Sequence, residues 1–77
     1  MDKGVLISKL ADVMEVPPAD LTEDFALNAD NWDSLAQLGA ISVIDEVCEI
    51  TIPANELKGC RTVGELLSLV DRNLSSN

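Results

Sequence analysis

Histidine and tyrosine are both missing from this 77-residue chain. Without an imidazole there is no Ser-His triad, no histidine general base and no ordinary zinc site. Trp32 and Phe25 are the only aromatic residues, too few for a platform that stacks nucleic-acid bases. Basic residues are scarce as well, five against 14 acids, which leaves a net charge of −9. A surface of that sign repels nucleic acid and anionic membranes, so its expected partners carry basic patches. The apolar run behind Lys3 is only Val5, Leu6 and Ile7, too short for the core of a signal peptide or for a membrane span. The two cysteines, Cys48 and Cys60, form no C-x-x-C pair and have no histidine to complete a metal site. Both fall at apolar-pattern positions and read as core residues, and the expected setting is reducing and cytoplasmic.

Hydrophobic residues make up 47% of the chain and charged residues 25%, which is globular rather than disordered composition. A chain this short buries only roughly 60% of its unfolded surface. One core fits, so residues 1–77 are expected to form a single domain, with no room for a deep enclosed active site. The acidity is uneven. Residues 1–33 hold eight acids and two lysines, residues 34–52 add Asp45, Glu46 and Glu49, and residues 53–77 balance to zero.

Val5, Leu6, Leu10, Val13 and Met14 recur at helical spacing and predict a first helix over Lys3 to Glu15, stopped by Pro17 and Pro18. A long acidic connection then runs from Val16 to Asp33, with a turn near Leu21 to Phe25; loops of this length are usually functional or flexible. A second helix is predicted from Ser34 to Glu49, with Asp33 as its N-cap. Ile50, Thr51 and Ile52 read as a loop with inward isoleucines, because three residues ending at Pro53 cannot build a sheet. Ala54 to Lys58 predicts one short helical turn closed by Gly59. The last helix opens on Thr62 with Glu65 three residues on, a capping box. Val63, Leu66, Leu67, Val70 and Leu74 line one of its faces. Ser75, Ser76 and Asn77 read as a polar tail. The expected fold is all-α: a small four-helix bundle of three main helices and one short one, with a long first loop. Leu6, Leu10, Ile41, Ile44, Leu66, Leu67 and Val70 are its expected core and would line any cavity within it.

The segment that bears on function is Asn31-Trp32-Asp33-Ser34-Leu35. With Asp33 as cap, Ser34 falls in the first turn, its hydroxyl at the positive end of the helix dipole, where a phosphate or phosphodiester is favoured. Taken alone, the same two residues are simply good cap chemistry. In its wider context the chain resembles an acyl carrier protein over nearly its whole length. Asp33-Ser34-Leu35 looks like that family's attachment motif, Ile52-Pro53 falls where the family has Ile-Pro, and Thr62-Val63 falls where it commonly has Thr-Val. The resemblance implies a non-enzymatic carrier. A phosphopantetheinyl transferase would esterify Ser34 with 4′-phosphopantetheine from coenzyme A, and the terminal thiol would carry acyl groups as thioesters. The arm is then bound at Ser34, Asp33 and Leu35, and the expected partners are that transferase and acyl-loading and acyl-processing enzymes of fatty-acid, lipid or polyketide-type synthesis.

The chain departs from the family pattern at several positions. Asn31 stands where the family often has glycine, as a residue that tolerates a left-handed backbone. Ala36 and Gly39 replace two acids, and Cys48 replaces an aromatic. These changes imply a specialised carrier with its own enzymes. Three other readings stand beside it: an aminoacyl or peptidyl carrier, an acidic adaptor without a prosthetic group, and a calcium-binding helix–loop–helix module. The last fits poorly, since starting an EF-hand loop at Asn28 or Asp30 puts Trp32 at a ligand position.

For partners, the helical wheel turns Leu35 and Leu38 outward beside Ser34, Ser42 and Asp45, with Ala36, Gly39, Val43 and Val47 as an adjoining apolar stripe. The expected docking surface centres on Leu35 and Leu38. Glu23, Asp24 and Asp30 steer from the loop, and Asp45, Glu46 and Glu49 from the helix end. Trp32 anchors the loop or flanks the prosthetic group. Gly39 marks close approach by another backbone or a ligand, or is merely tolerated. The protein is expected to act as a monomer.

Overall fold

The computed structural model describes residues 2–75. It contains α1 (Lys3–Met14), a 3-10 turn (Pro18–Asp20), α2 (Ser34–Cys48), α3 (Ala54–Lys58) and α4 (Val63–Ser75). The all-α expectation holds, and among the described residues the β pairing amounts to a single isolated bridge between Ala26 and Thr62. Ser75 closes α4 rather than starting a tail; Ser76 and Asn77 lie outside the described residues.

Each helix begins and ends for a local reason. Asp2 caps α1 by accepting from the Val5 amide at 3.2 Å. α1 ends ahead of the prolines, at Glu15, whose backbone is left-handed (φ 59°). The Val16 amide then reaches back to the Ala11 carbonyl at 3.0 Å, a Schellman closure. Glu49 closes α2 in the same left-handed conformation (φ 57°). Both are glutamates in a conformation that favours glycine.

The core runs through all four helices and the loop. Leu6, Leu10, Ile44, Ile52, Leu57, Leu66, Val63 and Val70 are all under 2% exposed. Ile52 bears out the inward-isoleucine reading, while Ile50 is half-buried. Ile41 is half-buried rather than central, because Ala40 and Ile44 occupy the middle of the interface and turn it to the edge. Val5, expected on the apolar face of α1, is exposed. Cys60 is buried, whereas Cys48 at the end of α2 is half-buried.

α2 buries Ala36, Gln37, Ala40, Val43 and Ile44. That corrects the expected surface stripe: Ala36 and Val43 are core, and Gly39 and Val47 are half-buried. The reason is close packing. A methyl group on Gly39 would lie 2.6 Å from Val13 Cγ1, so glycine lets α1 and α2 approach, and what approaches is a side chain of α1. An exposed ion pair, Lys9 to Glu46 at 3.0 Å, also joins these helices; such pairs contribute at most about 1 kcal/mol.

The long loop is pinned to the start of α4. Leu27 donates to the Arg61 carbonyl at 2.8 Å, Val63 to Phe25 at 3.0 Å and Gly64 to Glu23 at 3.0 Å. The loop therefore satisfies two of the amides that a helix N-terminus leaves open. Thr62 Oγ1 accepts a third, from Glu65, at 3.2 Å. The Glu65 carboxylate accepts from the Arg61 amide at 3.3 Å instead of from the Thr62 amide of a regular capping box. A methyl group on Gly64 would meet Glu23 O at 3.1 Å, so glycine keeps the loop close.

Candidate functional site

The loop delivers Asp33 and Ser34 to the start of α2 through two asparagines and a tryptophan. Asn28 Oδ1 accepts from the amides of Asp30 (2.9 Å) and Asn31 (3.1 Å). Asn31 returns the contact, accepting from the Asn28 amide at 2.9 Å and donating to the Ala26 carbonyl at 3.0 Å. Asn31, a residue that tolerates a left-handed backbone, does not use that freedom here, since its φ is not positive; its side chain is what the position uses. Trp32 is buried, and its indole Nε1 donates to the Leu57 carbonyl at 2.8 Å. That is the anchoring role, tying the loop to α3. Gln37, also buried, donates from Nε2 to the Trp32 carbonyl at 3.0 Å.

Held this way, Asp33 is extended (ψ −178°) and its Oδ1 accepts from the Ala36 amide at 2.9 Å. Ser34 follows as the first helical residue, with an exposed side chain. Among the described residues, no hydrogen bond within the chain uses the Ser34 or Leu35 amide. Both therefore remain available to an acceptor at the positive end of the helix. The other described serines stand elsewhere: Ser8, Ser42 and Ser68 lie inside helices, and Ser75 ends one.

Leu35 is 76% and Leu38 60% exposed. They form one wall of an open groove of about 520 Å³, whose other wall is the C-terminal end of α1 at Val13, Met14 and Glu15. Asp45, Glu46 and Glu49 are exposed on the same helix, but Asp45 starts about 16 Å from Ser34 at the helical rise per residue. Glu46 is engaged by Lys9. Glu23, Asp24 and Asp30 are exposed on the loop. The structure thus joins Asp33, Ser34, Leu35 and Leu38 at one end of α2 and leaves the later acids apart.

The family model described as the phosphopantetheine attachment site matches residues 4–70. The chain belongs to that family. As a member it is a phosphopantetheine-bearing carrier, consistent with an acyl carrier protein, and its prosthetic group is covalently attached 4′-phosphopantetheine. No curated protein and no solved structure matches it significantly.

The start of α2 fits such a group, since an exposed hydroxyl, two open amides and the helix dipole meet there. Bound to a phosphopantetheine carrier, the group supplies a flexible arm ending in a thiol. The thiols of the chain itself are poor substitutes: burial pushes both the Cys48 and the Cys60 thiol up from their ordinary range, keeping them protonated and weakly nucleophilic. Among the described residues no group of three or more acids and cysteines is placed to hold a metal ion, and no helix is long and apolar enough to cross a membrane.

Sequence reasoning passed over Gln37, Asn28 and the α1 wall of the groove. Gln37 shares a helical stripe with Ala40 and Ile44, three and seven residues on, which is the signal that it is buried. The Asn28–Asn31 reciprocal pair is visible only as two asparagines at turn spacing.

Proposed function

We propose that Ser34 is the attachment residue and that the protein carries acyl groups as thioesters between partner enzymes. The observation that carries this reading is the exposed Ser34 hydroxyl at the one described serine position that opens a helix, immediately after its Asp33 cap. A phosphopantetheinyl transferase joins Ser34 Oγ to the phosphorus of the pantetheine phosphate of coenzyme A. The pyrophosphate bond breaks, the adenosine bisphosphate leaves, and the serine proton passes to a base on the transferase. Asp33 and Leu35 flank the new phosphodiester, and the open amides of Ser34 and Leu35 meet its charge.

The protein's own part is display and docking, without a catalytic group. The partners are the transferase and the acyl-loading and acyl-processing enzymes of fatty-acid, lipid or polyketide-type synthesis. They approach an apolar centre at Leu35 and Leu38 through basic patches steered by Glu23, Asp24, Asp30, Asp45, Glu46 and Glu49. The net charge of −9 supports the acyl reading over an aminoacyl or peptidyl one. Two free cysteines are compatible with a monomer in a reducing cytoplasm. Mass spectrometry of protein isolated from its native cell tests the cargo. An acyl thioester is expected on the arm; an aminoacyl or peptidyl thioester would overturn the acyl assignment while leaving the carrier role intact.

A further inference from the structure

We infer that Gln37 is a positioning residue for the attachment reaction: it grips both peptide units that precede Ser34 and so aims the serine at the transferase. The inference rests on Ser34 being the attachment residue. Gln37 is the one buried polar side chain among the described residues, 7% exposed on the stripe that Ala40 and Ile44 continue into the core. A buried amide costs stability unless it is hydrogen-bonded, and an apolar side chain of the same length would fill the place without that demand. Polar residues kept against the pattern of a core are expected at functional sites.

The hydrogen bonds that Gln37 donates fall on consecutive peptide units. Its backbone amide donates to the Asp33 carbonyl at 3.0 Å, the ordinary first bond of the helix, which any residue but proline would make. Its side-chain Nε2 donates to the Trp32 carbonyl, also at 3.0 Å, and this bond needs a side-chain donor of glutamine's reach. A peptide unit is planar, with its C=O and N–H pointing opposite ways. Holding the Asp33 carbonyl toward Gln37 therefore turns the Ser34 amide out of the helix end, where it is open to an acceptor. Holding the Trp32 carbonyl fixes the preceding unit, and Asp33 is caught between the two at φ −85° and ψ −178°. From the other side, the Trp32 indole is tied to the Leu57 carbonyl at 2.8 Å and its amide to the Asn28 carbonyl at 2.7 Å. The backbone under Ser34 is thus braced from the loop, from α3 and from Gln37, which fixes the direction of its side chain relative to the docking leucines. Leu35 and Leu38, exposed on α2, make none of these side-chain bonds, so docking and aiming are carried by different residues.

The test uses full-length Gln37→Met and Gln37→Glu, both close to glutamine in length and helix propensity. Neither can donate, since methionine has no donor and a carboxylate only accepts. Glutamate also suits the first turn of a helix, so the fold is kept. Val70→Ala, in the core of α4, serves as a destabilised control. With saturating transferase and coenzyme A, the single-turnover rate of attachment is expected to fall at least about threefold in both Gln37 variants, within the roughly 100-fold that a misplacement of about 1 Å costs. The transferase concentration that gives half the maximal rate is expected to stay as in wild type. Val70→Ala, assayed below its unfolding transition, is expected to keep both values. Backbone amide relaxation by NMR is expected to show Asp33 and Ser34 rigid in wild type, with order parameters of about 0.85, and looser in both Gln37 variants. Sequencing of the modified wild-type peptide separates the two readings: an arm on a residue other than Ser34 overturns the attachment assignment and this inference with it. With the arm on Ser34, any of three results overturns the role of Gln37 alone: an unaltered rate in both variants, an equal fall in Val70→Ala, or a loss that lies in the half-saturating concentration and not in the rate.

Discussion

Replacing Gly39 with alanine sets two effects of known size against each other at the α1–α2 contact. Alanine is the better helix former by about 1 kcal/mol. Its methyl group, however, would stand 2.6 Å from Val13 Cγ1 and 3.3 Å from Cγ2, inside the roughly 3.5–4.0 Å at which carbon atoms pack best. Valine in a helix is nearly confined to one rotamer, so Val13 cannot swing clear and the helices must part. Overpacking of this kind costs about 1–3 kcal/mol. Gly39→Ala is therefore expected to destabilise by up to about 2 kcal/mol once the propensity gain is subtracted. In a Val13→Ala background both γ carbons are gone and the nearest remaining contact, to Val13 Cβ, is an ordinary 3.6 Å. There the same substitution should stabilise by about 1 kcal/mol. Urea unfolding of the four proteins, followed by Trp32 fluorescence, measures the cycle. If Gly39→Ala stabilises the wild-type protein as much as it does the Val13→Ala variant, the close-approach argument is wrong.

Trp32→Phe removes the indole donor to the Leu57 carbonyl, which keeps the Cys60 amide at 3.1 Å, so the cost is that of one net hydrogen bond, about 0.5–1.5 kcal/mol. A fall in melting temperature of at least about 2 °C is expected, and an unshifted transition would contradict the anchoring role. Burial raises both cysteine thiols in the folded state, so their contribution to stability is complete at neutral pH and is lost as pH rises beyond roughly 8.5. Stability of wild type should decline there more steeply than that of a Cys48→Ser/Cys60→Ala variant, and parallel pH curves would count against it. At the docking surface, Leu38→Ala is expected to speed dissociation from a cognate enzyme. Neutralising Glu23, Asp24 and Asp30 should slow association and weaken its salt dependence; stopped-flow kinetics with the opposite pattern would refute an apolar centre.

What was legible in the sequence is what local chemistry decides. α4 buries Val63, Leu66, Leu67 and Val70 as their spacing implies, and also Leu69, which that spacing leaves out. Asp33 acts as the cap that its position before an apolar run implies. α2 was harder, because apolar residues go most of the way round it. The wheel correctly turned Leu35 and Leu38 outward, yet Ala36 and Val43 were assigned to the surface and are buried. Only the approach of α1, permitted by Gly39, decides between those faces. The same holds for Asn31 and Gln37: the sequence shows polar residues near the motif, but their partners, Ala26 and Trp32, depend on how the loop folds back. The pinning of that loop to α4 joins residues nearly forty positions apart, beyond the reach of any local pattern.

The central claim is that Ser34 bears the arm, and site-resolved mass spectrometry tests it most directly. Wild type and Ser34→Ala are each incubated with coenzyme A and a phosphopantetheinyl transferase, and the modified peptide is sequenced. Ser34 is exposed with little packing to lose, so the variant should fold normally by circular dichroism. Wild type should gain one 4′-phosphopantetheine on the peptide containing Ser34, and Ser34→Ala should gain none. A folded Ser34→Ala protein that still takes up the arm, or a wild-type arm found on another residue, would contradict the account.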